Sequence, residues 1–477
     1  MTNKDLKKKW FKHYQSASIQ LEKMSKVQGL ISAFNANIDA VIKVSGKKIE
    51  EIISKNDMSV EDLLADRAKN IKTNEDAIRG IINCFKNGIA EEWLIEDKLV
   101  FDWLNTTIAY DNLQMGGQGG IVANVMATCG VKDVFVHTAS SPKAQSQLFL
   151  DLANLKNVNP NGELKKACTI NRIDDIPLIH WIIEFDKGDT LNINGESISC
   201  PKSNRFIATY DPLNFKLAID NEFDKKMQDV STCFEYIILS GYQMLTHKLS
   251  NGESGIARID ESKKIIEKWR KNKPNNIMHF EIASTQDKLV LKYLVDHLAK
   301  DADSVGFNER ELIDILKVIS EEDLATKCDK EPNISNLFKG MIKIFDYIKY
   351  PRIQLHMFGL YVTIQKKGFP ISPIKNRKGM QLAANIAATK AGTGAINSKD
   401  ILLWSKDKEV SDIGLNELKC LSETVSLEFG ENNLIEEGIF TNNTIEIIAV
   451  PTIIIDKPIT LVGMGDTISS ISLVGAQ

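Results

Sequence analysis

The chain has 477 residues, of which 43% are hydrophobic and 26% charged, and its net charge is −4. This composition is typical of a globular protein with about two or three folding units. A charge so near zero excludes a general attraction to nucleic acid or to an anionic membrane, and no apolar run reaches the roughly 18–20 residues that span a bilayer.

The N-terminal stretch MTNKDLKKKWFKHYQSAS is basic and lacks the apolar segment of a signal peptide, so we expect a solvated amphipathic helix. The seven cysteines, at 84, 129, 168, 200, 233, 328 and 420, form no CxxC pair. An odd count without such pairs argues against a disulfide framework or a zinc site and favours a reducing cytosol. We therefore predict a cytoplasmic protein without a tightly held transition metal.

The first predicted strand, VQGLISAFN, is followed by three short polar side chains, Asn35, Asn37 and Asp39, before apolar alternation resumes. Asn and Asp present paired donors and acceptors that suit neighbouring hydroxyls of a sugar. The same residue types are favoured in turns, so a purely structural role is the alternative.

Short strands with turn signals between them fill residues 165–212, where LIHWIIEF, TLNINGESISC and RFIATYDP follow one another. In the first of these, Ile179, Trp181, Ile183 and Phe185 alternate with other residues, which predicts one buried face. We expect an antiparallel sheet outside the main sheet. Residues 40–112 are polar and helical in pattern and are predicted to join it as a lid.

The predicted boundaries therefore divide the chain into two domains with a cleft between them, a common position for a substrate. The large domain takes 1–39, 113–164 and 213–477, and the smaller lid domain takes 40–112 and 165–212.

A glycine turn, MGGQGG, leads into a helical pattern at residues 115–130. It matches neither the dinucleotide fingerprint GxGxxG nor the Walker A pattern. Gly116 and Gly117 would let a ligand touch the backbone, and Gln118 could donate to a hydroxyl. Tight packing of helix on strand is the alternative.

Elsewhere, apolar runs alternate with amphipathic stretches, which predicts an α/β fold with a mostly parallel sheet covered by helices on both faces. Ligands of such sheets bind beyond the carboxyl ends of the strands. The predicted strands here are DVFVHTA, FEYIILSGY, NNIMHFEIA, DSVGFN, RIQLHMFGLYVTI and IEIIAVPTIII.

Near residue 466 an apolar strand is predicted to lead into GMGD, and Ile468, Ile471 and Val474 follow at helical spacing. A helix that begins on glycines offers unpaired N–H groups to a phosphate. Asp466 could take a proton from a hydroxyl that attacks the bound phosphorus. The alternative is that Asp466 is only the N-cap of the helix.

The three pieces together, namely Asn-x-Asp after the first strand, a Gly-Gly loop near 117 and a late GxGD, resemble the ribokinase superfamily of sugar kinases. HFE at 279–281 resembles an HxE motif, and NERE at 308–311 resembles NxxE. These motifs narrow the resemblance to the ADP-dependent glucokinase and phosphofructokinase family, closest to its bifunctional archaeal members. The resemblance implies a ribokinase-like large domain with a lid. It also implies transfer of the β-phosphoryl group of ADP to fructose 6-phosphate, glucose or both, with release of AMP, in a modified glycolysis.

For the catalytic centre, the resemblance implies that Asp466 is the base and that Gly463, Met464 and Gly465 form an anion hole of N–H groups. Glu281 and Glu311, together with Asp466, are expected to hold one or more Mg²⁺ ions, partly through water. Magnesium keeps several waters and few carboxylates, which fits this set.

For the ligands, the resemblance implies nucleotide contacts at Asn308, His356, Val450 and Gly465. Arg205 is expected to bind phosphate, because a guanidinium binds phosphate in a bidentate manner, and His180 to contact the sugar.

Four of these residues have structural alternatives. Asn308 and Glu311 could form a capping box, Glu281 could be a strand end exposed to water, and His180 could be an ordinary lid residue. His279, the first residue of HFE, could be a satisfied core histidine.

The choice of acceptor depends on Glu92. Glucokinases of the family carry a glutamate at this point of the sequence, and NGIAEEWLI places Glu92 there with Glu91 one residue away. The basic residues Arg172, Lys187, Lys202 and Arg205 could bind a sugar 6-phosphate or could form a solvated lid surface. We expect a bifunctional enzyme that uses a sugar or sugar phosphate and ADP, as a monomer or small homo-oligomer, without nucleic acid or membrane partners.

Three other functions compete with this one. An ATP-dependent ribokinase-like kinase would share the fold and the base, and would release ADP instead of AMP. A non-catalytic protein that binds a sugar or a nucleotide could retain the fold. An oxidoreductase is disfavoured, because the ribose-binding pattern of a dinucleotide site is missing.

Overall fold

The computed structural model describes residues 2–56, 58–64, 69–108, 110–193, 195–249, 251–349, 351–460 and 462–477. In chain order, its strands β1 to β18 are Leu30–Ala33, Asn37–Lys43, Glu91–Leu94, Asn112–Gly116, Val134–Val136, Leu155–Val158, Leu164–Lys166, Ile179–Phe185, Thr190–Ile193, Glu196–Ser199, Asn204–Tyr210, Tyr236–Leu239, Ile277–Glu281, Ser304–Phe307, Arg352–Met357, Leu360–Lys366, Ile439–Thr441 and Ile445–Pro451.

The helices α1 to α18 connect and cover these strands. They are Asn3–Tyr14, Ala17–Lys23, Gly46–Lys55, Val60–Leu64, Asn74–Asn87, Lys98–Thr107, Gln118–Thr128, Lys143–Ser146, Asn221–Asp229, Gly255–Arg270, Lys288–Tyr293, Glu309–Val318, Glu322–Lys330, Ile334–Ile348, Pro373–Thr393, Asp412–Phe429, Leu434–Glu437 and Met464–Val474.

The large sheet has the order β17-β18-β16-β15-β14-β13-β12-β1-β5-β6-β7. Every neighbouring pair from β6 through β1 to β15 is parallel. All residues of β1, β12 and β14 are buried. Because successive residues of a strand point to opposite faces, helices must cover both faces of this sheet. The prediction of an α/β fold with a mostly parallel sheet is confirmed.

Two strand predictions were wrong at the antiparallel end of this sheet. The single strand predicted over RIQLHMFGLYVTI is the hairpin of β15 and β16, and Gly359 turns the chain with a φ of +91°, a conformation that glycine adopts at little cost. The last predicted strand, IEIIAVPTIII, is shorter in the structure, where β18 ends at Pro451. The described residues between Pro451 and Met464 form no strand.

A second, five-stranded sheet has the order β3-β11-β8-β2-β4. It was predicted to be antiparallel, but it is mixed, because β2 pairs parallel with β8 and β3 pairs parallel with β11. TLNINGESISC forms the separate hairpin of β9 and β10. The predicted buried face of β8 is correct, since Ile179, Trp181, Ile183 and Phe185 are all buried.

Each sheet has its own apolar cluster of buried side chains. Helix α1 belongs to the cluster of the large sheet, where it buries Leu6, Trp10 and Tyr14, so only its other face is solvated. Among the described helices, none combines the length and the apolarity that a membrane crossing requires. The domain boundaries stay a prediction. Strands β2 and β4 of the small sheet lie at 37–43 and 112–116, so each crosses one of the predicted boundaries, at 39/40 and at 112/113.

Candidate active site

A cleft of about 260 Å³ lies between the small sheet and the carboxyl ends of the large sheet's strands. We call it the central cleft. Of the residues singled out in the sequence, ten line it: Asn35, Asn37, Asp39, Glu92, Gly117, Gln118, His180, Arg205, Gly463 and Asp466. Sequence positions as distant as 37 and 466 therefore meet at one place.

Asp466 is held from across the cleft by Gln118. The Gln118 side-chain amide donates to Asp466 Oδ1 at 2.8 Å, and its own oxygen accepts from the N–H of Gly241 at 3.0 Å. Because that backbone N–H can only donate, the orientation of the Gln118 amide is fixed. Burial raises the pKa of the Asp466 carboxyl, while the hydrogen bond from Gln118 and the charge of Lys390 oppose the rise.

The N-terminus of α18 supplies unpaired N–H groups beside this carboxylate. Its N-cap is Gly463, with a φ of +62°, and no side chain of the described residues caps the helix. The N-cap alternative for Asp466 is therefore wrong, since Asp466 lies within the first turn. The amides of Met464 and Gly465 open the helix and are free to face an anion.

Lys390, on α15, approaches the same turn, a feature that the sequence did not predict. Its ammonium donates to Gly463 O at 3.2 Å and to Thr467 Oγ1 at 3.4 Å. Burial lowers the pKa of Lys390 to about 8, against the opposing charges of Asp466 and Asp39. A largely desolvated cation and a helix N-terminus at one point favour a bound anion.

The opposite wall of the cleft begins with β2. Asn37 donates to Asp39 Oδ1 at 2.8 Å, and both side chains are buried at the start of this strand rather than in a turn. Burial raises the pKa of Asp39, while His180 and Asn37 oppose the rise. Gly116 is required by packing, because a Cβ there would lie 2.0 Å from Asp39 Oδ1. Gly117 has a φ of +73°.

His180, on β8, forms an ion pair with a fully buried aspartate. Its Nε2 lies 3.2 Å from Asp211 Oδ2, and Asp211 also accepts from the backbone and side-chain N–H groups of Asn214, at 3.0 and 2.8 Å. Burial alone would lower the pKa of His180, but Asp211, aided by Glu92 and Asp39, raises it to about 9. His180 is therefore an imidazolium at neutral pH.

The two neighbouring glutamates of β3 face different ways. Glu92 lines the central cleft and accepts from Thr209 Oγ1 at 2.6 Å. Glu91 pairs with Lys69 and accepts from the Trp93 indole N–H at 3.0 Å. Alternation along the strand therefore selects Glu92 as the carboxylate of the cleft.

Of the four basic residues considered for a sugar phosphate, Arg205 lines the central cleft. Its side chain is exposed and forms no ion pair with the residues that the structure describes. Arg172 is engaged elsewhere, since it pairs with Asp220 at 2.6 Å and donates to Val158 O at 3.1 Å.

Three buried side-chain oxygens at the cleft have no hydrogen-bond partner within the described residues. They are Asn35 Oδ1, Asn37 Oδ1 and Gln243 Oε1, and their residues line the cleft. Buried acceptors are rarely left unpaired. Together with the carboxylates of Asp39 and Glu92, they make the cleft rich in acceptors, which suits a ligand with several hydroxyl donors.

Glu281 and Glu311 lie close to Asp466 on the large sheet's side. Burial raises the pKa of Glu281 well above its ordinary value, and that of Glu311 to about 8, and the charge of Asp466 adds to both shifts. Glu281 is 5% exposed, so the solvent-exposed alternative is wrong. His279 is fully buried and bonded, as its alternative stated.

These carboxylates fit a magnesium ion. No group of three or more His, Cys, Asp or Glu side chains in the described ranges is arranged to hold a metal alone. Mg²⁺, however, is usually bound by one or two carboxylates, several waters and the phosphates of a substrate. The mutual repulsion of Glu281, Glu311 and Asp466 is what a divalent cation would relieve.

The capping-box alternative for NERE is confirmed. The side chain of Asn308 accepts from the N–H groups of Arg310 and Glu311, and Glu311 Oε2 accepts from Asn308 N at 2.7 Å. Glu311 Oε1 remains for a second role, so the cap and a metal contact are compatible.

Two predicted nucleotide residues, His356 and Val450, are not part of the lining of the central cleft. His356 is buried beneath the glycine turn, where a Cβ on Gly465 would lie 3.0 Å from its Nε2. His356 Nε2 is also 3.4 Å from Glu281 Oε1. Val450 is fully buried in β18 and pairs with Tyr361. Their contact with an adenosine stays a prediction.

Some residues of the site carried no readable signal in the sequence. Lys390 stands within a long helix among alanines, and Asp211 follows a strand as an ordinary turn residue would. Gln243 belongs to a short 3-10 turn. Only their position in the fold brings them to the cleft.

Comparison with known proteins gives a consistent picture. A family model described as "ADP-specific Phosphofructokinase/Glucokinase conserved region" matches residues 28–475. The ADP-specific phosphofructokinase of Pyrococcus abyssi (strain GE5 / Orsay) is 28% identical over 447 residues, which cover 92% of this chain and 95% of the relative. The ADP-dependent glucose/glucosamine kinase of the same organism is 30% identical over 480 residues, 98% of each chain.

A solved structure, an ADP-dependent kinase in complex with fructose-6-phosphate and ADPbetaS, is 28% identical to this chain. It superposes with a TM-score of 0.83 and covers 98% of this chain and 97% of its own. The similarity thus extends over both sheets.

Proposed function

The chain belongs to the ADP-specific phosphofructokinase/glucokinase family, and on that basis we propose how its residues divide the work of phosphoryl transfer. It is an ADP-dependent phosphotransferase with an alcohol group as acceptor. It moves the β-phosphoryl group of ADP to fructose 6-phosphate, glucose or both and releases AMP, which is a step of glycolysis. The observation that best supports the assignment of roles is the carboxylate of Asp466 in the central cleft, beside the N-terminus of α18.

Asp466 accepts the proton of the attacking hydroxyl. Its raised pKa brings it nearer to the working pH, where a general base is most effective. Gln118 donates to one carboxylate oxygen and orients the group toward the cleft. The N–H groups of Met464 and Gly465, after the N-cap Gly463, receive the transferring oxygens.

The acceptor-rich wall of the cleft binds the sugar. Asn37 and Asp39 face neighbouring hydroxyls, and the imidazolium of His180 donates to another. Most polar groups on this wall accept hydrogen bonds. A ligand with several hydroxyl groups can donate to more of them than an apolar ligand could.

We propose Glu281, Glu311 and Asp466 as the carboxylates that hold Mg²⁺, partly through water. When bound, the ion would supply positive charge to the phosphate oxygens of ADP. Asn308 keeps Glu311 in place through the capping box, while His356 and Val450 are proposed to lie on the adenosine side.

We propose that both acceptors are used. Glu92 faces the cleft and can accept from a glucose hydroxyl, whereas Arg205, which forms no ion pair with any described residue, offers its guanidinium to a 6-phosphate. Names of relatives include both a phosphofructokinase and a glucose kinase, which supports the bifunctional assignment.

The predicted lid, 40–112 and 165–212, is proposed to close over the sugar. Closure would exclude water, which otherwise competes with the sugar for the phosphoryl group.

The net charge of −4 and the free cysteines of the described residues support a cytoplasmic enzyme that acts on small molecules, without nucleic acid or membrane, as a monomer or small homo-oligomer.

The test is to identify the nucleotide product with purified protein, sugar and Mg²⁺. With ADP as donor we expect AMP, and Asp466→Ala should lose about 10²–10⁴-fold in kcat while it still binds sugar. Asp412→Ala, which removes an exposed first-turn aspartate of α16, is the control and should match the parent. Turnover of Asp466→Ala near that of the parent would reject the base assignment, and ADP formed from ATP would favour the ATP-dependent kinase.

A further inference from the structure

Arg352 is a fully buried arginine on β15, and no carboxylate lies within ion-pair distance of it among the described residues. Its Nη1 donates to Ser304 Oγ at 2.7 Å, and its Nη2 donates to the side-chain oxygens of Gln354 and Asn376 at 2.5 and 3.3 Å. A buried guanidinium without a counter-ion is costly. Neutral hydrogen-bond acceptors, rather than a counter-ion, therefore offset the cost of burying this cation.

A continuous chain of hydrogen bonds leads from this arginine to Glu281. Ser304 Oγ lies 3.0 Å from His279 Nδ1, and His279 Nε2 lies 2.7 Å from Ser469 Oγ and 3.1 Å from Glu281 Oε2. Ser469 Oγ in turn donates to Glu281 Oε2. We call the chain Arg352–Ser304–His279–Ser469–Glu281 the arginine relay.

The arginine sets the direction of every bond in the relay. A guanidinium only donates, so Ser304 Oγ accepts from it and has its own proton left to give. The acceptor within reach of that proton is His279 Nδ1. A ring nitrogen that accepts carries no proton, so His279 is neutral, with its proton on Nε2.

The second half of the relay follows from the first. His279 Nε2–H donates to Ser469 or to Glu281, and the Ser469 hydroxyl donates to Glu281, so Glu281 only accepts. If His279 instead carried its proton on Nδ1, both Arg352 and His279 would donate to Ser304 Oγ, and the Ser304 proton would have no described partner. A buried network with such a mismatch is strongly disfavoured.

The relay leaves one oxygen of Glu281 for other use. Both donors converge on Oε2, whereas Oε1 points toward His356, 3.4 Å away. Gly306 makes room for the arrangement, because a Cβ there would lie 1.9 Å from Glu281 Oε2. The carboxylate is thus fixed in rotation.

We propose that Arg352 is a positioning residue that, through the arginine relay, fixes the orientation of the Glu281 carboxyl group for contact with a divalent cation. The proposal rests on the role of Glu281 in the proposed function. Partners of this kind behind a metal ligand typically change metal affinity by about 10–100-fold when they are removed.

The test combines a tautomer measurement with metal binding. In protein with ¹⁵N-labelled histidine and without metal or nucleotide, we expect His279 to show a protonated Nε2 and an unprotonated Nδ1, with His279→Gln used to assign the signals. Ser304→Ala should lose this single tautomer and bind Mn²⁺ at least about tenfold more weakly by calorimetry. Arg352→Met should do the same if it folds.

Ser262→Ala is the matched control, because it removes another buried serine hydroxyl, bonded to Tyr242 on the far side of the large sheet's core, and should bind Mn²⁺ like the parent. A parent with the proton on His279 Nδ1 would overturn the relay, as would Ser304→Ala with the parent's Mn²⁺ affinity. The tautomer of His279 tests the relay without any metal-binding measurement. A parent that binds no Mn²⁺ would count against the metal role in the proposed function instead.

Discussion

Gln118 donates to Asp466 across 348 positions of sequence, and the same amide is fixed at its other end by the N–H of Gly241. The contact joins the start of α7 to the start of α18. It fixes the carboxylate that we propose as the base, and it does so through a residue that was predicted only to donate to a ligand hydroxyl.

Gln118→Leu should therefore impair the base rather than the binding of sugar. Removal of the donor raises the pKa of Asp466 further, because the bond favours the ionised form. We expect kcat to fall about 10–100-fold at neutral pH and the acidic limb of the pH–rate profile to move to higher pH. Gln228→Leu removes a similar amide-to-carboxylate bond, to Asp224 at 3.0 Å, and should be silent. An unmoved acidic limb would contradict the prediction.

Glu92→Gln should lower kcat/KM for glucose about 10–100-fold, because a neutral amide oxygen replaces the carboxylate that accepts from the sugar hydroxyl. The loss with fructose 6-phosphate should be smaller. Glu91→Gln is the control on the same strand, since Glu91 faces away and pairs with Lys69. Steady-state kinetics with both sugars measure the ratio, and equal losses on both would remove Glu92 from the choice of acceptor.

Arg205→Met should shift the choice of phosphoryl acceptor in the opposite direction, toward glucose. The guanidinium is the cation of the central cleft's lining that no described carboxylate neutralises, so its loss should raise KM for fructose 6-phosphate about 10–100-fold and leave glucose near the parent value. Lys187→Met removes an exposed cation outside that lining. If glucose and fructose 6-phosphate suffered alike, Arg205 would have no special role toward phosphate.

Lys390→Met should reduce kcat about tenfold or more and change the KM for sugar little. The ammonium lies at the turn that opens α18 and donates to Gly463 O, so its charge acts where phosphoryl oxygens are proposed to bind. Lys375→Met, on an exposed turn of the same helix, is the comparison. A Lys390→Met enzyme with the parent's kcat would show that the lysine only braces the turn.

The pair of His180 and Asp211 should make stability depend on pH. The folded pKa of His180, about 9, lies above its ordinary value of 6.5. Its contribution is therefore fully present below pH 6.5 and is lost as the pH rises through 9. The upper bound of the loss is roughly 3 kcal/mol.

Urea unfolding from pH 6 to 9.5 would measure this loss. The free energy of unfolding of the parent should fall over the upper part of this range, and that of His180→Gln should be flatter. His297→Gln changes an exposed histidine outside the small sheet. Its free energy of unfolding should depend on pH as that of the parent does. Equal slopes for His180→Gln and the parent would refute the ion pair's role.

The sequence predicted well what depends on local pattern. Buried strands are continuous in apolar residues, so β1, β12, β13 and β14 were found, and Asp466, Glu281 and Asn37 were recognised because short motifs carry them. It failed where a single residue changes direction, as at Gly359, whose positive φ divides one apolar run into a hairpin.

It also failed where long-range pairing decides. Strand β2 resembles any alternating segment, and only its parallel pairing with β8 shows that the small sheet is mixed. Lys390, Arg352 and Asp211 reach the site from elements whose relative position no local pattern encodes.

The pairing of β2 with β8 brings Ile38 beside Ile179, and the chain between them contributes β5, β6 and β7 to the other sheet. The wall of the central cleft that we propose to bind the sugar is therefore a product of high contact order, assembled only after a large loop has closed. A fragment that carries the small sheet alone would lack the connection that sets its register, so selectivity for the acceptor can emerge only from the intact polypeptide.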